Sequence, residues 1–241
     1  LLPHAAGQVS RHLFVGEPGN NRHDSRGKRW GYQLEHSFND AWKFRQNLLA
    51  YDYDVHSDYV AVYPRVIAET PRLAQRYAVA RVDSDKGVSL DNQLHGQIRH
   101  GRFEHNLLAG LDWRQSDFTR TQRFGMVTPL DLFSPAYGAP VSGATRSGED
   151  HSRQMGFYVQ DQIKFGERWI AVLGGRYDAT RYDQGAGTPA DKAHAFTPRL
   201  ALMYLAGNGI SPYYSYSRSF QPTAGTDFHL QRLKPTTGTQ H

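Results

Sequence analysis

Residues 156–183 alternate. In GFYVQDQIKF the odd positions Phe157, Val159, Ile163 and Phe165 are apolar, while Tyr158, Gln160, Gln162 and Lys164 carry hydrogen-bonding groups. A period of two is the pattern of a β-strand with one apolar and one polar face. Gly166-Glu167 then supplies a tight reversal, because glycine tolerates the positive φ of short hairpin turns. In WIAVLGGRYDATRYD the alternation resumes, with Trp169, Ala171, Leu173 and Tyr177 on one face and Arg176 and Asp178 on the other. Gly174-Gly175 in mid-strand marks a bend or the close approach of a neighbour. A soluble sandwich and a membrane barrel both satisfy this pattern.

The rest of the chain decides between them. Strands are expected at about 28–38 (Trp30, Tyr32, Leu34 and Phe38 on one face), 42–55, 76–100, 103–118, 196–206 and 210–220, eight with the central pair. In the second, Leu49, Tyr51, Tyr53 and Val55 are in phase, opposite Gln46, Asp52 and Asp54. Short turns fall near 40, 101, 166 and 208, where Asn208-Gly209 is the clearest hairpin signal. Long connections fall near 57–73 (with Pro64 and Pro71), 119–151, 184–195 and 221–241, and residues 1–26 read as a polar outer loop. Strict alternation of short and long connections is the layout of an antiparallel up-and-down transmembrane β-barrel, with short periplasmic turns and long extracellular loops. Structureless loops this long count against a compact soluble domain.

Composition narrows the function. No run of 18 apolar residues occurs, so no transmembrane helix is expected. A mean hydropathy of −0.65 suits strands that turn half their side chains to water. The net charge of +5 is scattered, with no nucleic-acid motif beside it, which excludes nucleic acid and leaves anionic lipid head groups or a wet lumen as its partners. There is no cysteine. No G-x-S-x-G, H-E-x-x-H or P-loop is present, so the chain does not read as an enzyme and needs no cofactor. His95, His100 and His105 recur every five residues, but a turn at Gly101 separates the last, which favours hydrogen-bonding histidines over a metal site. Asp83-Ser84-Asp85-Lys86-Gly87 lacks the distal glutamate of a calcium loop. Loop aromatics are the better candidates for binding: Tyr59, Tyr63, Phe124, Phe133 and Tyr137.

The wording of these strands carries more. YVQDQ followed by a short turn and LGGRYD, with LEHSFNDAWKFRQNL (34–48), DNQLHGQIRHGRFEHNLLAGLDW (91–113) and FTPRLALMYLAGNGISPYYSYSRSF (196–220), resembles the TonB-dependent siderophore receptors of the bacterial outer membrane, in the ferrichrome (ferric hydroxamate) branch. The resemblance runs from about Phe14 onward, and FVGEPGNN (14–21) resembles a segment the family places just before a barrel strand. It implies a plugged barrel of about 22 strands, of which residues 1–241 would be one partial domain without plug or C-terminal strands. It implies import of a ferric siderophore energised by TonB acting on the plug, in contact with outer-membrane lipid and lipopolysaccharide. By the same resemblance Tyr63 falls at a ligand-facing loop tyrosine and Phe124, in RFG, at a ligand-facing aromatic. Ala61 stands where the family has a second tyrosine, which leaves the ligand open. A passive porin and a barrel-borne enzyme remain as alternatives of other classes.

Overall fold

The computed structural model describes residues 2–4, 7–63, 71–138, 140, 142–185, 187, 189–223, 225, 227–229, 231 and 233–241, of which 2–4 as backbone only. Pro64 lies outside them. The described residues form strands and turns. A hairpin pairs β1 (Leu2–His4) with β2 (Gly7–Val9). Then come β3 (Asn21–Ser37), β4 (Trp42–Val62), β5 (Leu73–His100), β6 (Phe103–Asp131), β7 (Ala144–Phe165), β8 (Trp169–Asp183), β9 (Asp191–Tyr204), β10 (Tyr213–Gln221) and β11 (Thr236–Gln240). The nine form one sheet in sequence order. From β3 to β11 each strand lies beside the next one in sequence, as the alternating turns and loops required.

The strands run further than the sequence suggested. β4 continues to Val62, β6 to Asp131, and β7 begins at Ala144, so strand takes up 119–131 and 144–151 of the expected loop. Alternation cannot reveal such extensions where both faces of a strand meet protein or water. β11 falls where the sequence predicts a loop: TTGTQ is polar, and only pairing with β10, from Ser217↔Gln240 to Gln221↔Thr236, makes it a strand. Residues 1–26 are likewise no simple loop, since β3 starts at Asn21 and Glu17 is buried. The sheet therefore holds nine strands where eight were expected.

Two compact units divide the chain, each described alone. The first holds residues 1–28, 52–85 and 118–149. Its core is small: Val60, Ala78 and Val127 cluster, and Leu130 is fully buried. The largest fully buried side chain is Arg76. A buried guanidinium is costly unless its donors are taken. Here Arg76 donates to Gly16 O (2.8 Å) and Thr128 O (3.1 Å) and pairs with Glu17 (3.3 Å). Glu17 also accepts the Gly138 amide, and the Tyr137 hydroxyl donates to Phe14 O at 2.7 Å. One ion pair thus fastens 14–17 and 137–138 to β5 and β6.

The second unit holds residues 29–51, 86–117 and 150–241. Its two sheet faces differ sharply. Register aligns Phe157↔Tyr177↔Phe196, then Leu173↔Leu200, Ala171↔Leu202 and Phe165↔Trp169↔Tyr204. Most of these side chains stay exposed, Phe157 at 54%, Leu173 at 48% and Phe196 at 60%, while Ala171 and Tyr204 are half-buried. A continuous apolar belt is a liability in water and is what membrane-crossing strands present. Asp161 interrupts it and bonds His105 at 2.7 Å.

The opposite face is a polar network that passes over glycines. The Tyr158 ring of β7 lies on Gly110 of β6, so its hydroxyl reaches Asp91 of β5 at 2.7 Å. Arg176 of β8 lies on Gly156 of β7 and reaches Asp112 of β6 with two nitrogens, while also holding Asp178. Any Cβ on either glycine would collide with these groups. On the apolar face, the expected close approach at Gly175 is the Phe196 ring.

Gly110→Ala and Gly156→Ala should each lower stability by about 1–3 kcal/mol, the usual cost of overpacking. Gly148, with nothing within 4 Å of an added Cβ, is the control. Unfolding midpoints for the full-length protein measure this; equal midpoints for all three would refute the glycine passages.

Candidate functional site

Tyr63 and Phe124, picked from sequence as ligand-facing, are brought together in the first unit. Tyr63 follows the end of β4 and Phe124 lies within β6 rather than in a loop. Tyr77 of β5 joins them. The Tyr63 and Tyr77 rings meet edge to face at 6.1 Å, and Tyr77 and Phe124 meet tilted at 5.5 Å. The Tyr63 amide donates to Gln75 O at 2.8 Å, which places the phenol beside β5. Tyr63 and Phe124 remain about 40% exposed.

Tyr77 escaped sequence reasoning because it sits in a regular strand, in RYAVARV, and reads as one more alternating residue. Arg76 and Ala78 on either side of it are fully buried. Alternation therefore turns Tyr77 to the other face of β5. Arg81 and Asp83 share its parity. Asp83 is clamped by Arg120 through two bonds (2.8 and 3.0 Å) and by Arg81 at 3.2 Å. Arg120 also rests over the Phe118 ring at 5.1 Å. The site therefore offers three aromatic rings, two phenol hydroxyls and a cationic cluster anchored by one carboxylate. Such a surface can hold a bulky molecule with apolar flanks and exposed oxygens.

The other aromatic candidates serve the scaffold. Phe133 packs at Gly7 with Arg72 over its ring at 5.3 Å, and Tyr137 is spent on Phe14 O. Tyr59 is half-buried in β4. The histidines take separate partners, His95 with Gln93 and His105 with Asp161. Asp83, in the calcium-like stretch, belongs to the arginine clamp. Among the described residues no group of three His, Cys, Asp or Glu converges on a metal position.

Asp131 caps the connection after β6. It accepts the amides of Phe133 (2.8 Å) and Ser134 (3.0 Å) and pairs with Arg72 at 2.6 Å. The Arg72 bond, then the Phe133 amide, hold its carboxyl below the ordinary value of 3.8.

Comparison with known proteins gives consistent matches. Residues 5–241 match the family profile described as "TonB dependent receptor-like, beta-barrel". The chain is 34% identical over 247 residues to the ferrioxamine B receptor of Salmonella typhimurium, covering all of this chain and 34% of that protein. It is 31% identical to the ferrichrome outer membrane transporter/phage receptor of Escherichia coli K12, over 92% of this chain and 34% of that protein. The chain thus spans about a third of the length of these curated relatives. Among solved structures it superposes on the ferripyoverdine receptor of the Pseudomonas aeruginosa outer membrane with a TM-score of 0.80, at 21% identity, over 98% of this chain and 33% of that one. At that identity the likeness establishes fold.

A depressed folded-state pKa stabilises the Asp131 cap fully above 3.8, and the stabilisation is lost as the pH falls through the lowered folded value. Asp131→Asn should speed amide exchange at Phe133 and Ser134, relative to intrinsic rates, already at neutral pH. Unchanged protection in the variant would refute the cap.

Proposed function

This chain belongs to the TonB-dependent receptor-like β-barrel family, and from that premise we propose that it supplies part of the wall and part of the ligand surface of an outer-membrane importer of ferric siderophores. Residues 1–241 form one partial barrel domain in this reading, and the energy for import comes from TonB acting on segments outside them. The exposed apolar belt of β7, β8 and β9 faces lipid and lipopolysaccharide; the Asp91–Tyr158 and Asp112–Arg176 bonds face the lumen.

The observation that carries the ligand reading is the Tyr63–Tyr77–Phe124 cluster, held by the ladder with Tyr63 and Phe124 left exposed and Tyr77 half-buried between them. A ferric hydroxamate is a compact chelate with apolar flanks and carbonyl oxygens around its metal. Ring faces cover the flanks, and phenol hydroxyls donate to the oxygens. Arg81 and Arg120 add positive potential on the same face. The iron travels within the chelate as cargo, so the protein needs no metal ligands of its own.

The connections orient the chain. In this reading the turns at Asn39-Asp40, Gly101, Gly166 and Asn208-Gly209 are periplasmic, and Gly143 and Gly187 lie outside. Cysteines placed at Gly143 and Gly187 of the full-length protein should react with an impermeant maleimide on intact cells; cysteines at Asp40 and Gly166 should not. Reversed labelling would overturn the orientation.

Losing one aromatic face typically costs about 1–3 kcal/mol, or roughly 5- to 150-fold in affinity. Tyr63→Ala, Tyr77→Ala and Phe124→Ala should each weaken binding of ferrichrome or ferrioxamine B by that factor at normal receptor levels, whereas Gly148→Ala should not. Wild-type affinity in all three would remove the site. Unsaturable uptake of small solutes would instead indicate a passive channel.

A further inference from the structure

Within the first unit, the aromatic face of β5 and β6 ends in an arginine too many. Tyr77 and Arg81 share parity four residues apart on β5, and Phe124 and Arg120 do so on β6. Each strand therefore carries an arginine about 13 Å from its ring. Both arginines turn to one carboxylate. Arg120 takes both oxygens of Asp83, Nε to Oδ1 at 2.8 Å and Nη2 to Oδ2 at 3.0 Å. Arg81 comes second: its Nε lies 3.2 Å from Oδ2, yet that nitrogen is buried and makes no hydrogen bond. Among the described residues Arg81 has no further partner. Asp85 shares its parity and has a partner of its own.

Unused donors select the ligand. A guanidinium has five N–H groups in a fixed fork and keeps its charge. Asp83 is buried and already held by the fork of Arg120. It has no second bidentate edge for Arg81. A half-buried guanidinium with its donors unmatched is costly. What completes it is a planar pair of acceptors from elsewhere, and a carboxylate has that shape. A phosphate dianion would face twice the repulsion from Asp83 and Asp85. The way from the rings to Arg81 names the rest of the molecule. On this face of β5 only Val79 lies between Tyr77 and Arg81, and it is buried; on β6 it is Gln122, between Phe124 and Arg120. An arm leaving a chelate on the rings passes an aliphatic side chain before it meets the charge.

The geometry points to selectivity for ferric hydroxamates that carry a free carboxylate on a flexible arm: the chelate lies on Tyr63, Tyr77 and Phe124, the arm passes Val79, and the carboxylate pairs with Arg81. Arg120 is a positioning residue, because it occupies Asp83 and so leaves Arg81 to the ligand. An arm that ends in an ammonium meets Arg81 as a like charge. The inference rests on the siderophore reading above and names the class of chelate within it.

Ferrioxamine B supplies a matched series for the test. Its arm ends in a primary ammonium; acetylation makes that end neutral, and succinylation makes it a carboxylate, with the iron centre unchanged. Equilibrium binding of the three to the full-length receptor in detergent gives the order. The succinyl form should bind about tenfold tighter than the acetyl form, as expected for one charge-assisted hydrogen bond, and the ammonium form should bind weakest. Rising salt should shrink the succinyl preference. Arg81→Gln should abolish that preference, and Arg81→Lys should keep part of it, since the charge stays and the fork is lost. Arg199→Gln, in the second unit, should keep all of it. Heat-modifiable migration on gels confirms that each variant is folded. Equal affinity for the three forms would overturn the inference. So would a succinyl preference that survives Arg81→Gln, which would then belong to the general charge of the protein. Tightest binding of the ammonium form would assign the arm to the carboxylates of Asp83 and Asp85 and overturn it as well. Binding of none of the three removes the siderophore reading itself, whereas equal binding of all three sinks this inference alone.

Discussion

Every strand of the nine-strand sheet is paired with its neighbours in sequence, and this ladder is the constraint on which the rest depends. Backbone amides and carbonyls have nowhere else to bond in a medium without water. Once the ladder holds them, the side chains are released from stabilising a buried core. The second unit can then leave Phe157, Leu173, Phe196 and Leu200 exposed on one face and keep its hydrogen-bonding groups on the other. In a soluble domain these apolar residues would have to face one another. In the reading proposed above the bilayer takes that role, which would also account for a chain so polar on average.

Ladders join neighbours only. The polar face adds longer connections, because Tyr158 and Arg176 each skip a strand by lying over a glycine. Arg176 also stacks on the Tyr158 ring at 5.5 Å, so the two bridges support each other. A network of this kind in a partly wet face contributes less through Coulomb attraction than through fixing where its members point. Arg199, next in register to Gly174, lines a depression on this face together with Tyr158 and Arg176.

In the first unit the same logic runs through the buried ion pair of Arg76 and Glu17. Arg76 cannot be buried without partners, and its partners are the backbone of Gly16 and Thr128 and the side chain of Glu17. The segment before β3 is therefore set against β5 and β6, and through Glu17 and Phe14 so is the segment at 137–138. The face of β5 opposite Arg76 is thereby left to Tyr77 and its aromatic neighbours. Rigid strands, rather than loop tips, present the rings of Tyr77 and Phe124.

The sequence by itself determined eight of the nine strands of the sheet, their hairpin order, the apolar and polar faces of β7 and β8, and two members of the aromatic cluster. Each is a local property: period-two alternation, turn residues, or wording shared with a family. It did not determine where strands ended, because β4, β6 and β7 continue past their clean alternation on the strength of pairing alone, and β11 exists only as the partner of β10. Nor did it reveal that Tyr77 bridges Tyr63 and Phe124, that Gly110 and Gly156 are passages for side chains from the next strand, or that Arg81 and Arg120 share Asp83. Those depend on register, and register is a relation between segments far apart in the chain. A single strand read alone carries its period but not its partner's offset, so only the tertiary structure could decide which side chains meet.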